Sequence, residues 1–592
     1  MSLKTQLTVF LSLASLSFAK IYDSFQEVPT DTFDFVVIGG GAGGLVVANR
    51  LSENPNVTVL VIEAGVSDKD ALTLQVPFFW PNAQATPFDW NYTTTAQQGL
   101  NGRTIPYSRG HVIGGSTSIN ALIYNRLAAE EWDRLAKETG DAGWSWKNMK
   151  QYFLKNEILT PPADGHDTTG QINPAVHGKS GVNGDSLPGF STPIDSKIIQ
   201  TTKELSKEFP YNLDMNDGSP LGVGWCLATI RDGARSSAST SYLAPKYADR
   251  PNLYVALNTR VTRVLANAPA TPLQLQNVEL TSSAAGPRTQ VTARKEVVLA
   301  AGSIGSAQIL LNSGIGDASA LRPLGVDPIL VDNPSVGANL SDHAMVHNAW
   351  FVNSTDTWES LLRDPSILND DLEEWMTSRT GPLVVTSPNT LTFLRLAKDS
   401  PILKQFPDPV PGSQTPHIEF LIGNGFGGSP LPETGNFMTI STAVVSPTAR
   451  GSLRLNSNDP FDSPIINPNL LGTDFDIAVM KEAIKSARRF VSAPVWNDYV
   501  LGPFINITTD AELEQYIRNN ATTVWHPVGT AAMTAKSAPF GVVDPDLSVK
   551  GVQGLRVIDA SVFPHVPAGH PQVPVYVIAE RGSDLIKKKW GL

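Results

Sequence analysis

The chain has 592 residues, of which 41% are hydrophobic and 17% charged, and its formal net charge is −11. A chain of this size can bury a large core, and the low charge content argues against intrinsic disorder. The acidic balance without a basic stripe disfavours nucleic-acid binding. With 47 glycines and 44 prolines, many ordered loops are expected rather than a helical bundle.

The first 19 residues are typical of a secretory signal peptide. Lys4 precedes a short apolar run over residues 7–18, and Ser17-Phe18-Ala19 has the small-x-small character of a cleavage site. A membrane anchor is the alternative, but the run is too short to span a bilayer. A secreted protein that does not associate with membranes is therefore expected.

Cysteine and asparagine patterns fit a secreted chain. Cys226 is the single cysteine, so no internal disulfide forms and stability must come from a large core or a bound cofactor. Asn-x-Ser/Thr acceptors suggest glycosylation; Asn56, between a predicted helix and a predicted strand, is the least convincing. The other acceptors are Asn91, Asn339, Asn353, Asn506 and Asn520.

A β-turn-α-β unit opens the predicted mature chain. Residues 34–38 (DFVVI) predict a strand, residues 45–51 a helix, and residues 57–62 (VTVLVI) a second buried strand. The remaining predictions, in chain order, are a helix over 131–157, a loop over 160–195, a strand pair over 253–265, a strand over 296–300, a helix from 306, a loop or lid over 406–416, an amphipathic helix over 475–491 and a closing helix over 579–588.

The turn of this unit carries the pattern G-x-G-x-x-G. Gly39 permits a tight turn, Gly41 lets a pyrophosphate approach the backbone, and Gly44 lets helix and strand pack closely. Glu63 ends the second strand, where a carboxylate can bind a ribose 2′-OH. The context favours dinucleotide binding over a structural glycine turn, without separating FAD from NAD.

Two further segments carry candidate chemistry. Residues 109–120 (RGHVIGGSTSIN) form a Gly/Ser-rich loop that could offer N–H groups to an anion or a ring edge, or could be a plain surface turn. His526 and His570 lie in loop-like C-terminal segments, and an imidazole there could accept a hydroxyl proton during oxidation. Spacing alone leaves a structural role open for both.

Three other patterns are weaker. Ser303, in AGSIG, resembles a loosened nucleophile elbow and keeps a hydrolase as an alternative. His343 and His347 have helical metal-ligand spacing, but a structural pair is favoured and no metal site is expected. Asp544-Pro545-Asp546 predicts a turn rather than an acid pair.

Together these motifs resemble the glucose–methanol–choline family of FAD oxidoreductases. DFVVIGGGAGG with VLVIEAG is similar to the family's flavin fingerprint, SRGHVIGGSTSIN to its first signature, and AGSIGSAQILLNSGIG to its second. VGANLSDH, HPVGTAAM and GLRVIDASVFP follow in the expected order. The resemblance covers residues 33–588, and FDWNYTTTAQ, PPADGHDTT, HPVGT and PAGHPQ resemble fungal aryl-alcohol oxidases within the family.

The resemblance implies an α/β fold in which a Rossmann-like FAD-binding domain is joined to an α+β substrate-binding domain with an antiparallel sheet flanked by helices. The implied division places most of the FAD domain in residues 33–345, with part of the substrate domain near 160–240. Residues 346–510 would be mostly substrate-binding, and residues 511–592 would return to the FAD domain with the catalytic histidines.

Site residues follow from the same resemblance. His526 would be the catalytic base and His570 its partner. The implied FAD-binding residues are Gly39, Gly41, Gly44, Glu63, Val112, Gly115, Ser116, Asn120, Val261, Asp559, Ala560, Pro571 and Gln572. The implied substrate-pocket residues are Tyr92, Trp525, Phe426 and Glu419.

The implied activity is oxidation of a primary aryl, furanic or conjugated alcohol to its aldehyde, by proton abstraction and hydride transfer to flavin N5. The acceptor would be O2, giving H2O2, or a quinone. A quinone-dependent dehydrogenase, a sugar-oxidising enzyme and a hydroxynitrile lyase on the same fold are the alternatives. A monomer is expected.

Overall fold

The computed structural model describes residues 20–267 and 272–592. The predicted signal peptide lies outside the described residues. None of the helices within these two ranges combines the length and the apolar character needed to cross a bilayer.

The first layer is an eight-stranded, mostly parallel sheet. The strand Thr32–Ile38 lies near its centre and is almost wholly buried, as expected for a parallel strand covered on both faces. Across the sheet, the strands are Ile21–Tyr22, Leu253–Ala256, Val59–Ile62, Thr32–Ile38, Thr289–Leu299, Leu275–Thr281 and Arg260–Ala266, with Leu555–Val557 also pairing with Thr289–Leu299.

The second layer is a seven-stranded antiparallel sheet. Its core packs against the long helix Asp474–Phe490. Across the sheet, the strands are Val500–Pro503, Ala344–Val352, Phe437–Val444, Ile418–Gly423, Thr390–Leu394 and Gly222–Trp225, with Thr522–Thr523 also pairing with Ala344–Val352. The two sheets confirm the predicted fold class.

The remaining elements are shorter or lie around these sheets. The α-helices are Ala42–Leu51, Leu72–Gln75, Ala129–Thr139, Trp146–Asn156, Pro193–Glu204, Ala238–Tyr242, Pro245–Ala248, Gly302–Asn312, Ala318–Leu321, Trp358–Arg363, Pro365–Ser378, Pro401–Gln405, Asp474–Phe490, Asp510–Asn520 and Gln572–Trp590. The minor strand pairs are Glu157–Leu159 with Asn183–Asp185, Ile230–Arg231 with Ala234–Arg235, Ile315–Gly316 with Val331–Asp332, and Ser452–Arg454 with Ile465–Asn467.

The prediction of a single helix over residues 131–157 is wrong. Two helices, Ala129–Thr139 and Trp146–Asn156, occupy this region. Gly140 ends the first helix in the left-handed conformation, with φ of 71°, and Asp141 then caps a short 3-10 turn. Glycine at this position after a helix is a regular stop signal.

The closing helix begins earlier than predicted, at Gln572 rather than 579. Pro574 lies within its first turn, where the missing N–H costs no helical hydrogen bond. As a result, the Pro-rich loop that carries His570 ends directly at a helix N-terminus.

Candidate active site

One large cavity of about 920 Å³ lies between the two sheets. Its wall runs from the glycine-rich turn at Gly39 and Gly41 to the C-terminal histidines His526 and His570. Segments of the FAD-type domain and of the antiparallel sheet contribute side by side. The cavity therefore brings a dinucleotide-type turn and titratable groups into one space, as expected for a cofactor enzyme.

The three glycines of the turn have different neighbours. A Cβ on Gly44 would lie 1.9 Å from the carbonyl oxygen of Gly39, and a Cβ on Gly39 would lie 2.4 Å from that of Ala300. A Cβ on Gly41 would meet only the Cα of Gly115, at 3.7 Å. Gly39 and Gly44 thus permit close backbone packing, whereas Gly41 keeps a space open at the helix N-terminus.

Glu63 lies at the end of the second parallel strand and lines the cavity. Its two carboxylate oxygens accept the backbone N–H groups of Gly40 and Gly65, each at 2.7 Å. Burial raises the pKa of Glu63 to about 7, against the lowering effect of these hydrogen bonds. The carboxylate is fixed where a ribose hydroxyl could donate to it.

The Gly/Ser-rich loop lies against the same cavity. Gly115, Ser116 and Asn120 are part of the wall. The side-chain amide of Asn120 donates to Gln572, and its carbonyl oxygen accepts from Arg235. This network connects the loop to the first turn of the C-terminal helix, so the loop is part of the site and not a plain surface turn.

Other predicted FAD-binding residues complete the lining of the cavity. Val261, Ala560 and Pro571 line the cavity. Asp559 lines it as well, but its carboxylate accepts the N–H of Gly302 at 3.0 Å and the hydroxyl of Ser306 at 2.5 Å. The Asp559 side chain therefore caps the helix Gly302–Asn312.

His526 is held in the cavity by an unusual backbone. Trp525, directly before it, has a φ of 59°, a left-handed conformation that is rare for a bulky residue. The Trp525 N–H donates to Thr523 Oγ1 at 2.6 Å, and its carbonyl accepts from Arg109 at 2.6 Å. Strain held by neighbours in this way is characteristic of functional sites.

The two C-terminal histidines meet in the cavity. The ring centroids of His526 and His570 lie 4.8 Å apart, with an interplanar angle of 82°. Nε2 of His570 lies 2.7 Å from Glu419 Oε1. Nδ1 of His526 lies 3.0 Å from Nδ1 of His343, which leaves Nε2 of His526 for a substrate.

Burial and the neighbouring His570, His343 and Arg109 hold the pKa of His526 well below its usual range. The imidazole is therefore neutral near pH 7. A neutral histidine with a free ring nitrogen can act as a general base.

The predicted aromatic wall is present. Tyr92, Trp525 and Phe426 line the cavity. Tyr92 is buried while its neighbour Asn91 is exposed, so the two side chains point in opposite directions. The aromatic residues of the wall are Phe78, Phe79, Trp80, Trp90, Tyr92, Phe426 and Trp525.

Three predicted site residues lie outside the wall. Gly44 packs against Gly39, and Val112 is fully buried, with its carbonyl accepting the Gly115 N–H at 2.8 Å. Glu419 is also fully buried and lies behind His570. The prediction that Glu419 faces the pocket is thus corrected, because the imidazole separates its carboxylate from the cavity.

The weaker sequence patterns have other partners. The Ser303 hydroxyl donates to the Pro527 carbonyl at 2.7 Å and makes no serine–histidine pair among the described residues. His343 and His347 do not lie on a helix, and His347 Nδ1 contacts Ser441 at 2.7 Å. Asp544 lies in a turn and pairs with Lys550 at 2.6 Å.

A buried group outside the cavity contains Glu157, His177 and Asp185. The nitrogens of His177 contact Glu157 at 2.6 Å and Asp214 at 2.8 Å. Although burial opposes it, these carboxylates raise the pKa of His177. Arg126 adds a second positive charge at Glu157. Burial and the neighbouring Glu157 raise the pKa of Asp185 well above its usual range, which favours its neutral form. The other two carboxylates are paired with His177 and Arg126, so we assign no metal there.

Three residues of the site had no functional role assigned from the sequence. Arg109, within the first signature, lines the cavity, and His347 lines it from the strand Ala344–Val352. His343 and His347 were interpreted only as a structural pair. The Asp-His sequence within VGANLSDH was the available signal, but only the fold shows that it lies next to His526.

Comparison with known proteins identifies the family. A GMC oxidoreductase N-terminal model matches residues 33–345 and a GMC oxidoreductase C-terminal model matches residues 447–579. The chain belongs to the GMC oxidoreductase family. Its members bind FAD and act on CH–OH donors, so the predicted cofactor and enzyme class are confirmed.

Several relatives match over nearly the whole chain. Dehydrogenase eriK of Hericium erinaceus is 41% identical, covering 99% of each chain. Pyranose dehydrogenase 3 of Leucoagaricus meleagris is 40% identical, covering 98% of each. A fungal aryl-alcohol oxidase structure has a TM-score of 0.80 at 25% identity, covering 95% of this chain and 100% of the other.

The residues present fit FAD. Gly41 leaves an open cradle at a helix N-terminus, where a pyrophosphate is favoured by the helix dipole. The Glu63 carboxylate lines the cavity where it could accept a hydrogen bond from a ribose hydroxyl. The hydrogen-bonded pair Asn120 and Gln572 lines the region between the glycine turn and the histidines. The cavity is long enough to include both the turn and the base.

Proposed function

We propose that this GMC oxidoreductase oxidises a primary alcohol on an aryl, furanic or conjugated carbon to the aldehyde. The observation that carries the proposal is the His526–His570 pair in the same cavity as the dinucleotide-type turn. When bound, FAD supplies the hydride acceptor. Nε2 of His526 takes the hydroxyl proton, and His570, held by Glu419, binds the same oxygen.

The aromatic wall supports this donor class. Trp525, next to His526, packs against Trp80 with ring centroids 6.4 Å apart. Phe426, Met345, Leu421 and Leu362 also line the cavity. Apolar, aromatic surfaces bind a planar conjugated substituent and exclude water from the reacting carbon. Each positioned acid–base group is typically worth about 10² to 10⁴ in rate.

A sugar donor is the second candidate. Its specific support is the polar pair His347 and Ser441 on the cavity wall, together with 40% identity to a pyranose dehydrogenase. Burial lowers the pKa of His347 to about 4, so its ring stays neutral and can bind a hydroxyl. The relatives named dehydrogenases also favour an organic acceptor such as a quinone over O2.

The test is a visible spectrum of the purified protein under argon with a panel of donors. Bleaching of the flavin by benzyl or furfuryl alcohol, but not by glucose, is expected. Bleaching by glucose alone would replace the first proposal with the second, and a flavin that no donor bleaches would contradict both. Admitting air or benzoquinone afterwards identifies the acceptor by the return of colour.

A further inference from the structure

His343 lies directly behind His526, outside the cavity wall. Its side chain is fully buried, and its ring is inclined at 82° to that of His526, with centroids 5.2 Å apart. The two Nδ1 atoms are 3.0 Å apart, a normal hydrogen-bond distance.

One carboxylate sets this distance. Asp342 Oδ1 accepts the backbone N–H of both His343 and His526, each at 2.8 Å. Its other oxygen accepts the hydroxyls of Tyr107 and Thr523, each at 2.6 Å. Because four hydrogen bonds fix Asp342, the two histidine backbones are held in one fixed relation.

A hydrogen bond between two imidazole nitrogens needs one N–H and one lone pair. If His526 donates from Nδ1, its Nε2 carries the lone pair and can act as a base. If His343 donates instead, Nε2 of His526 carries a hydrogen and can only donate to the substrate. The direction of this one bond therefore decides whether His526 can take a proton.

Nδ1 of His343 faces His526, and Nε2 is left on the far side of the ring, where it makes no hydrogen bond among the described residues. Burial lowers the pKa of His343 to about 3, so its ring is neutral and carries one N–H and one lone pair. A neutral ring permits either direction of the Nδ1–Nδ1 hydrogen bond. The proposed function selects one direction, because His526 can act as a base at Nε2 only when its own Nδ1 donates and Nδ1 of His343 accepts.

We propose that His343 is a positioning residue that accepts the Nδ1–H of His526 and so keeps Nε2 of His526 free for the substrate proton. The inference rests on the proposed function, because it needs His526 to be the base. The proton stays on His526 after transfer, since the imidazolium still donates Nδ1–H to His343. The titratable and charged groups that face the pair are His570, Arg109 and Asp342.

The experiment compares the holoenzymes of His343→Leu and His343→Asn. Asn places an amide oxygen near the Nδ1 position and can still accept the bond, whereas Leu cannot. Flavin reduction should slow roughly 10- to 100-fold in His343→Leu, by analogy with removal of ligand-orienting partners. His343→Asn should keep most of the rate, and KM should change little in either variant.

The pH profile separates positioning from simple structural damage. Removing the acceptor destabilises the imidazolium of His526 and lowers its pKa. The acid limb of the kcat/KM profile, which lies below pH 6.5 in the parent, should therefore move to lower pH in His343→Leu and stay in place in His343→Asn. If His343→Leu does not fold, His343→Gln also removes the acceptor from the Nδ1 position and should show the same shift.

Two results would overturn the inference. One is an unchanged rate and limb in His343→Leu. The other is an equal loss of rate in the Leu and Asn variants with an unmoved limb. His526→Ala distinguishes failure of the proposed function from failure of the inference alone. If His526→Ala keeps its rate of flavin reduction, both the proposed function and the inference are wrong. If His526→Ala is inactive while His343→Leu keeps the parental rate, only the inference is wrong.

Discussion

Glu63 shows how one buried carboxylate joins cofactor binding to stability. Its folded pKa, about 7, lies above its ordinary value of 4.5 because of burial. The folded apoprotein therefore binds more protons than the unfolded chain. The stability from this group is fully present below pH 4.5 and is lost as pH rises to about 7.

Replacing Glu63 with Gln should flatten this dependence. The unfolding midpoint of the apoprotein, measured from pH 4.5 to 7, should fall less steeply in Glu63→Gln than in the parent. Glu63→Gln also replaces a charged hydrogen-bond acceptor with a neutral one. A hydrogen bond to a charged group contributes about 1.5–3 kcal/mol, so FAD should bind roughly 10- to 100-fold more weakly. Equal slopes and equal FAD affinity in the two proteins would show that Glu63 has neither role.

At the scale of elements, one glycine of the turn is needed for backbone packing and another leaves space for the cofactor. A Cβ at position 44 would overlap the Gly39 carbonyl, whereas a Cβ at position 41 would point into open space. Gly44→Ala should therefore lower the thermal unfolding midpoint of the apoprotein strongly. Gly41→Ala should fold normally but lose FAD, as measured by fluorescence titration. A Gly41→Ala protein that retains parental affinity would show that the cofactor does not approach this turn.

A buried ion pair joins the helix of this turn to the C-terminal helix. Arg50 contacts Glu580 at 2.7 Å, and the Glu580 side chain is fully buried. Arg50→Met should lower the free energy of unfolding by about 3–5 kcal/mol, because it leaves a buried carboxylate short of its main partner. The control is Lys485→Met, because the ion pair between Lys485 and Asp510 is exposed. In denaturant titrations this variant should change the free energy of unfolding by about 1 kcal/mol or less.

Sequence patterns predicted the elements whose signals are local. The β-turn-α-β unit, the Gly/Ser-rich loop and the amphipathic helix were predicted correctly. Their signals, which are the spacing of hydrophobic residues and the presence of turn-forming residues, lie within a few positions along the chain. The helix break at Gly140 was missed although its signals are local, since Gly140, Gly143 and Ser145 interrupt the helical pattern between the two charged segments. The antiparallel sheet could not be derived from periodicity, since its pairs join residues as distant as Ala344 and Thr523.

At the scale of the whole molecule, the candidate site depends on long-range contacts. His343 and His526 are 183 positions apart, and Glu419 and His570 are 151 apart. The family resemblance placed His526 and His570 in the site, but no local pattern could show which groups stand behind them. The burial of Glu419 and Val112 behind the wall could not be predicted for the same reason, because it is a property of the fold.

The surface gives a prediction for the proposed secreted form. Asn91, Asn353, Asn506 and Asn520 are exposed, whereas the Asn339 amide is half-buried and donates to the Pro564 carbonyl at 2.8 Å. Glycopeptide mass spectrometry of protein secreted by a fungal host should find glycans among these four predicted sites and none at Asn339. A glycan at Asn339 would contradict this, and an unmodified secreted protein would contradict the expectation of glycosylation.

The most direct test of the account is the rate of flavin reduction in His526→Ala. Parent, His526→Ala and the control His565→Ala, whose histidine pairs with Glu138 outside the cavity, would be mixed anaerobically with the donor that bleaches the parent. A loss of about 10² to 10⁴ in rate is expected for His526→Ala alone, with FAD still bound. A parental rate in His526→Ala would contradict the assignment of His526 as the base.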